Sequence, residues 1–287
     1  MMIRLGVVVA LSVLLVLPAE GAVRVTATPS SLRQGDTGAL VVTGVPDAKV
    51  IEGSVGERPL IFFPYADGYA ALIGVDLAAP AGQTPWRVGW VDATGNPRKA
   101  AGTLRIRSRK FPVQKLSLPG NMVDLDRATE QRANKEAAQL NTLYSMVSGE
   151  RLWRGHFTRP VASTGPGDGF GARRIINGKP RSPHSGLDYS APTGTPVVAA
   201  NRGRVALIGD FFFGGRTVAV DHGQGLYTLY MHLDRVQVAE GALVERGETI
   251  GTVGSTGRAT GPHLHWGVQL RRARVDPEGL LALPVRD

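Results

Sequence analysis

Cysteine is absent from the 287 residues of this chain. Disulfides therefore cannot stabilise the fold, a cysteine-linked lipid cannot anchor the protein, and thiolates cannot bind a metal ion. Any metal ion must instead be held by histidine and carboxylate side chains. The six histidines are for this reason the first candidates for functional residues.

Polybasic runs and nucleic-acid-binding motifs are also missing, although the formal net charge is +9. Scattered basic residues give a general positive field, which attracts polyanions without selecting one of them. We therefore expect no nucleic-acid partner and favour an anionic polymer of the cell envelope. Hydrophobic residues make up 43% of the sequence, which indicates a folded protein.

Long apolar runs are absent except at the N-terminus. Arg4 precedes an apolar run over residues 5–17, and small residues such as Gly21 and Ala22 follow it. This order is typical of a signal peptide, and the run is short for a membrane span of about 20 apolar residues. We expect residues 1–22 to be cleaved and the mature protein to be exported to the periplasm or cell wall, without stable membrane insertion. An uncleaved membrane anchor is the alternative.

Turn residues are abundant, with 37 glycines and 19 prolines, and they favour many short strands. Seven β-prone runs predict an immunoglobulin-like β-sandwich over residues 23–110. Residues 111–149 predict a linker and an amphipathic helix, capped by Asp124 or Asp126 and packed between two domains. A free regulatory helix is the alternative. Residues 150–287 return to strands, so the predicted fold is mostly β, with a C-terminal antiparallel sheet domain.

All six histidines lie in this C-terminal half, most of them in three short segments. The segments read PHSGLD from residue 183, LYMHL from residue 229 and GPHLHW from residue 261. Side chains two positions apart on a strand share a face, so His263 and His265 should project together, and Tyr230 should share a face with His232.

The first segment adds a histidine and a carboxylate four positions apart, which share a face if the segment is extended. Two imidazoles and one carboxylate supply three ligands to zinc and leave an open position for water, as in catalytic zinc sites. A closed structural site would require a fourth protein ligand. Single histidines without such partners, His156 and His222, are interpreted as structural, and Trp266 as a core residue. The FFFGG segment from residue 211 either lines a groove or packs within a strand.

These segments, in this order, resemble the LytM/lysostaphin-type family of peptidoglycan endopeptidases. The resemblance covers about residues 159–277 and extends to the connecting motifs. These read PTGTPV from residue 192, DHG from residue 221 and GSTG from residue 254. The sandwich and helix that precede them are similar, less specifically, to the N-terminal parts of extended bacterial members.

The resemblance implies that His184, Asp188 and His265 bind Zn²⁺ and that His232 and His263 transfer protons and stabilise the oxyanion, with the two roles unassigned between them. The implied function is that of an exported zinc metalloendopeptidase acting on peptidoglycan peptides. The bond is either a stem-peptide crosslink between D-amino acids or a glycine bridge. No His-Glu-x-x-His motif indicates a glutamate base.

Two functions without catalysis are the alternatives. A member of the same family can act as a scaffold that activates a cell-wall amidase, but such proteins typically lack part of the metal set. A wall-binding module with a structural zinc ion is the other alternative. Because all five positions are filled here, the sequence favours the enzyme.

The predicted signal peptide can be tested on the mature protein. We expect mass spectrometry of its N-terminus to show the loss of about twenty residues, the usual length of such a segment. An intact Met1 on cytoplasmic protein would contradict the predicted export.

Overall fold

The structure, a computed structural model, describes residues 23–162, 165 and 167–283. The predicted signal peptide lies outside the described residues. The chain is mostly β, as predicted, with one long helix between an N-terminal and a C-terminal set of strands. None of the helices in the described ranges combines the length and the apolar character needed to cross a membrane.

The N-terminal strands form two sheets that enclose a common core. The strands are β1 (Arg24–Thr28), β2 (Ser31–Arg33), β3 (Thr37–Thr43), β4 (Val50–Val55), β5 (Arg58–Pro59), β6 (Phe62–Tyr65), β7 (Gly68–Gly74), β8 (Gly82–Val91) and β9 (Pro97–Arg107). One sheet has the order β1-β3-β7-β6 and the other β2-β9-β8-β4-β5. Leu40, Val88 and Leu104 are buried together between the sheets. Each predicted run overlaps a strand; the immunoglobulin-like arrangement stays a prediction.

A connector and a helix follow the sandwich. They contain β10 (Val113–Leu116), a short 3-10 turn (Gly120–Met122) and α1 (Arg127–Ser145). Of the two predicted caps, Asp126 is the N-cap: its carboxylate accepts a hydrogen bond of 2.7 Å from the backbone N–H of Thr129. Leu143 and Tyr144 are buried against β-strand side chains of the C-terminal half, so α1 covers one face of that sheet.

The C-terminal strands build one large antiparallel sheet and a small side sheet. The elements are β11 (Arg173–Ile176), β12 (Lys179–Pro180), β13 (Gly186–Ser190), β14 (Pro196–Val198), β15 (Gly203–Phe211), β16 (Gly215–Asp221), β17 (Leu226–Val236), β18 (Leu243–Val244), β19 (Thr249–Val253), β20 (His263–Leu270), β21 (Ala273–Val275) and α2 (Pro277–Leu281). The main order is β13-β20-β17-β16-β15-β18. Strand β20 therefore lies between β13 and β17, and β10 pairs with β11 in the side sheet.

The two halves share a hydrophobic core and are joined by ion pairs, among them that of Arg274 with Asp76. Phe63 of the sandwich meets Trp153 edge to face, with 5.4 Å between ring centroids, in a buried cluster with C-terminal side chains. Arg274 donates to both carboxylate oxygens of Asp76, at 2.7 and 3.0 Å. Burial alone would raise the pKa of Asp76, but the hydrogen bonds from Arg274 outweigh it and lower the pKa. The halves are therefore expected to unfold together.

Phe63→Ala tests this coupling. We expect it to lower the free energy of unfolding by about 3–5 kcal/mol, because it opens a cavity beside Trp153 in the shared core. Urea unfolding, followed by tryptophan fluorescence and by circular dichroism, should show one transition shifted to lower urea. The exposed Leu243 provides the control, since Leu243→Ala should change stability by less than about 0.5 kcal/mol. Two separate transitions, with only one shifted, would contradict the shared core.

Candidate metal centre and active site

Pairing of β20 with its two neighbours brings the distant histidine segments together. On one side, β13 pairs antiparallel with β20, so that Asp188 lies directly opposite His265 and Ser190 opposite His263. On the other side, β17 places Met231 opposite His265. Directly opposed residues on an antiparallel pair share a face of the sheet. The sheet register therefore concentrates the predicted site residues on one face, as the alternation of His263 and His265 predicted.

Three potential ligand atoms converge at the centre of this face. Asp188 Oδ1 lies 3.0 Å from His184 Nε2 and 2.9 Å from His265 Nδ1, and the two ring nitrogens are 2.8 Å apart. The structure thus brings the three predicted ligands into one group that could hold a metal ion. Tetrahedral zinc with bonds near 2.0–2.1 Å would separate its ligand atoms by about 3.3 Å. The group fits zinc after an outward shift of a few tenths of an ångström.

Electrostatics also prepares this group for a cation. Burial alone would raise the pKa of the Asp188 carboxyl, but the neighbouring imidazoles outweigh it and hold the pKa well below its usual range. Burial is the main cause that lowers the pKa of His265, so its imidazole is neutral at neutral pH. A carboxylate and neutral imidazoles are the protonation states that bind metal ions. His184 Nδ1 is buried without a hydrogen-bond partner. Within the described residues, the polar contacts of this ring are therefore those that Nε2 makes in the group.

Two glycines leave room for the imidazoles of the group. Gly169 has a φ of +88°, and a Cβ atom there would lie 2.5 Å from His184 Nδ1. A Cβ atom on Gly186 in β13 would lie 2.7 Å from His265 Nε2. The backbone therefore approaches both rings more closely than any residue with a side chain allows.

The remaining two histidines stand beside the group with a defined tautomer. His263 Nδ1 lies 2.8 Å from the carbonyl oxygen of Gly261, and His232 Nδ1 lies 2.8 Å from that of Thr256. Since a carbonyl can only accept, both Nδ1 atoms carry the proton and both Nε2 atoms are free to accept one. The two rings are 4.6 Å apart, and His263 Nε2 is 3.8 Å from Asp188 Oδ1.

A β-bulge, and not simple alternation, directs His232 to this face. In the pairing with β16, the step from Val218 to Arg216 spans two positions, whereas the opposing step from Tyr230 to Leu233 spans three. The extra residue in β17 coincides with a φ of +62° at His232. Bulges re-aim side chains next to active sites. The prediction that Tyr230 and His232 share a face is therefore wrong, since Tyr230 is buried in the core.

Burial of His232 controls its charge. Desolvation, followed by the nearby imidazoles of His265 and His263, lowers its pKa to about 3. The ring is therefore neutral across the physiological range.

The site opens into a cavity of about 720 Å³ between the C-terminal sheet and α1. Its lining includes His184, His232 and His265 on one side and Ala133 and Leu140 of α1 on the other. The cavity gives a substrate access to the group from the side that α1 covers.

The FFFGG segment from residue 211 both packs within a strand and lines the cavity, the two alternatives that the sequence left open. Phe211 is buried under α1, whereas Phe213 is exposed at the cavity. The residues interpreted as structural agree with that interpretation: Trp266 is buried, and both ring nitrogens of His222 have partners, the carbonyl of Arg202 and the hydroxyl of Thr228.

Three arginines in the cavity were not predicted. Arg174 donates to Asp188 Oδ2 at 3.4 Å, and Arg181 and Arg258 line the same cavity. Strand β11, which carries Arg174, was not predicted either. Basic residues are common on protein surfaces, so only the fold distinguishes these three from the others.

Comparison with known proteins places this geometry in a family. Residues 182–277 match the profile of peptidase family M23. The peptidoglycan DD-endopeptidase ShyB of Vibrio cholerae is 40% identical over 94 residues, 33% of this chain and 22% of the relative. The DD-carboxypeptidase/endopeptidase Mpg of Neisseria meningitidis is 46% identical over 101 residues, 35% of this chain and 23% of the relative. These matches span less than a quarter of either relative.

A solved structure extends the similarity to most of the chain. The crystal structure described as an M23 peptidase from Pseudomonas aeruginosa is 30% identical, with a TM-score of 0.64. The match covers 86% of this chain and 94% of that one, so it includes the N-terminal half as well as the site. The predicted resemblance is thereby confirmed, and the chain belongs to peptidase family M23, with a LytM-type peptidase domain.

Proposed function

We propose that the protein is an exported, zinc-dependent endopeptidase that hydrolyses peptide bonds in bacterial peptidoglycan. The observation that carries the proposal is the convergence of His184, Asp188 and His265 on one point, with two further imidazoles beside them. The site thus combines three metal ligands with two proton-accepting nitrogens that are not ligands. A purely structural zinc site needs ligands alone, usually four from the protein, and no such nitrogens beside them.

His184 Nε2, Asp188 Oδ1 and His265 Nδ1 would hold the metal. When bound, zinc polarises the scissile carbonyl as a Lewis acid and lowers the pKa of a water molecule toward about 7. Arg174 donates to Asp188 Oδ2, which leaves Oδ1 directed at the two imidazoles. This contact fixes the orientation of the carboxylate, as partners of metal ligands commonly do.

His263 and His232 would perform the proton transfers. With Nδ1 bonded to a backbone carbonyl, each ring leaves Nε2 free to accept a proton beside the metal group. One Nε2 would take the proton of the attacking water and deliver it to the leaving amine. The other would take up a proton from solvent as negative charge develops on the carbonyl oxygen, and would then donate to the oxyanion of the tetrahedral intermediate. The carbonyl contacts keep both rings oriented throughout these steps.

The substrate is proposed from the relatives. Proteins similar in the peptidase domain are described as peptidoglycan DD-endopeptidases or as a DD-carboxypeptidase/endopeptidase. We therefore favour the stem-peptide crosslink between D-amino acids over a glycine bridge. Such a substrate lies outside the cytoplasm, in agreement with the signal peptide expected over residues 1–22 and with periplasmic or cell-wall localisation.

Zinc binding is tested by removing its ligands. The purified protein should carry about one zinc ion per chain, and His184→Ala, Asp188→Ala and His265→Ala should each lower the occupancy, since each removes one of only three protein ligands. Elemental analysis of dialysed protein measures it. His156→Ala, at an exposed histidine, is the control and should retain full zinc. Full zinc in all three ligand variants would rule the assignment out.

Catalysis is tested by His232→Ala and His263→Ala. We expect both variants to keep zinc and the native fold, but to release peptides from purified sacculi at a rate lower by about 10²-fold or more, the usual effect of losing a positioned acid–base group. Zinc content is measured in the same samples, and His156→Ala again serves as the control.

A scaffold that activates an amidase predicts the opposite outcome. Neither substitution would matter, and stimulation of a partner amidase would survive. Wild-type release by both zinc-loaded variants would therefore show that the catalytic assignment is wrong.

A further inference from the structure

More arginine side chains line the cavity than the proposed hydrolysis requires. Arg174, Arg181 and Arg258 all line it, together with the metal-binding histidines. Arg174 is accounted for by its contact with Asp188. The other two contact neither the proposed ligands nor the proposed proton-transfer histidines in the described chain, and they require a separate explanation.

Both side chains are held in place by neutral contacts. The guanidinium of Arg258 lies over the ring of Phe213, 4.2 Å from its centroid, and donates to the carbonyl of Met122 at 3.4 Å. Arg181 donates to the carbonyl of Val123 at 3.0 Å. Each contact uses one of the several N–H donors of a guanidinium, so further donors remain for a ligand. The two arginines are thus positioned in advance of binding.

Their charges are poorly neutralised. Within the described residues, Arg258 has no carboxylate at ion-pair distance, and the carboxylate recorded for Arg181, that of Asp124, is 3.8 Å away and is shared with Lys179 at 2.7 Å. Burial, followed by the charges of Arg174 and Arg181, lowers the pKa of Arg258 to about 10, which leaves it protonated at neutral pH. A partly buried charge without a partner is costly, and an anionic ligand would relieve that cost.

The acidic residues of the opposite wall do not offset these charges. Glu136 of α1 is engaged by Arg132 and by the backbone N–H of Phe212, at 2.6 and 2.7 Å. Glu130 lies in the first turn of α1 and is exposed. Glu130 and Glu136 therefore lie on the helix, whereas the three arginines line the cavity outside α1 together with the metal group.

We propose that Arg181 and Arg258 form a subsite that binds a carboxylate of the substrate peptide beside the metal group. Guanidinium forks match carboxylates and give charge-assisted hydrogen bonds. The subsite would select a stem peptide that bears a free carboxylate and would give no advantage to a neutral glycine bridge. The inference rests on the proposed function, whose substrate it specifies.

The test uses the full mature protein loaded with zinc and two crosslinked stem peptides, identical except that the carboxylates of one are amidated. The wild type should cleave the carboxylate peptide with a higher kcat/KM by about tenfold to a hundredfold, the range for hydrogen bonds to charged groups. Arg258→Gln and Arg181→Gln should each lose about tenfold on the carboxylate peptide and little on the amidated one. Arg258→Lys should retain part of the preference.

Arg235→Gln is the matched control, since this arginine is exposed and lies outside the cavity lining; it should leave the preference unchanged. Zinc content and thermal unfolding verify that each variant is folded. Equal losses on both peptides would indicate a structural role and overturn the subsite, as would a wild type that does not distinguish the peptides.

Calorimetric binding of the carboxylate peptide separates this inference from the proposed function. If the wild type cleaves neither peptide, the proposed function fails. The subsite then stands if binding weakens about tenfold in Arg258→Gln and Arg181→Gln, and it falls if both variants bind as the wild type does.

Discussion

The antiparallel pairing of β20 with β13 is the constraint on which the site depends. It places Asp188 opposite His265, although the two residues are 77 positions apart in the sequence. The pairing thereby brings a carboxylate and an imidazole ligand into one metal group. Because side chains alternate along a strand, a slip of one residue would turn His265 into the core and bring Trp266 to the surface. The apolar core on the far face therefore maintains the register that the chemistry needs.

The alternation of side chains along a strand predicted those features of the site that depend on a single regular strand. Alternation correctly placed His263 and His265 together and Trp266 in the core. It was wrong for His232, because a bulge adds a residue to β17, and nothing in the sequence LYMHL marks a bulge. The turn that receives His232 is formed by Gly214, whose carbonyl accepts from the His232 N–H at 2.7 Å. Such a contact between distant segments becomes visible only in the folded chain.

The cavity arginines and the shared core could not be predicted from the sequence, for the same reason. Arg181 and Arg258 are 77 positions apart in the sequence, and only the fold brings them into one cavity. The sandwich was predicted as a separate unit, yet Phe63 packs into a cluster with Trp153 of the C-terminal half. Periodicity identifies which side chains are buried within an element, but it does not identify the partner element.

The central claim is that hydrolysis depends on a metal ion held by His184, Asp188 and His265. The most direct measurement is peptide release from purified sacculi by the wild-type protein before chelation, after removal of the metal, and after one equivalent of zinc is restored. Release should stop when the metal is removed and return with zinc, in proportion to the zinc content. Undiminished release by protein shown to be free of metal would contradict it.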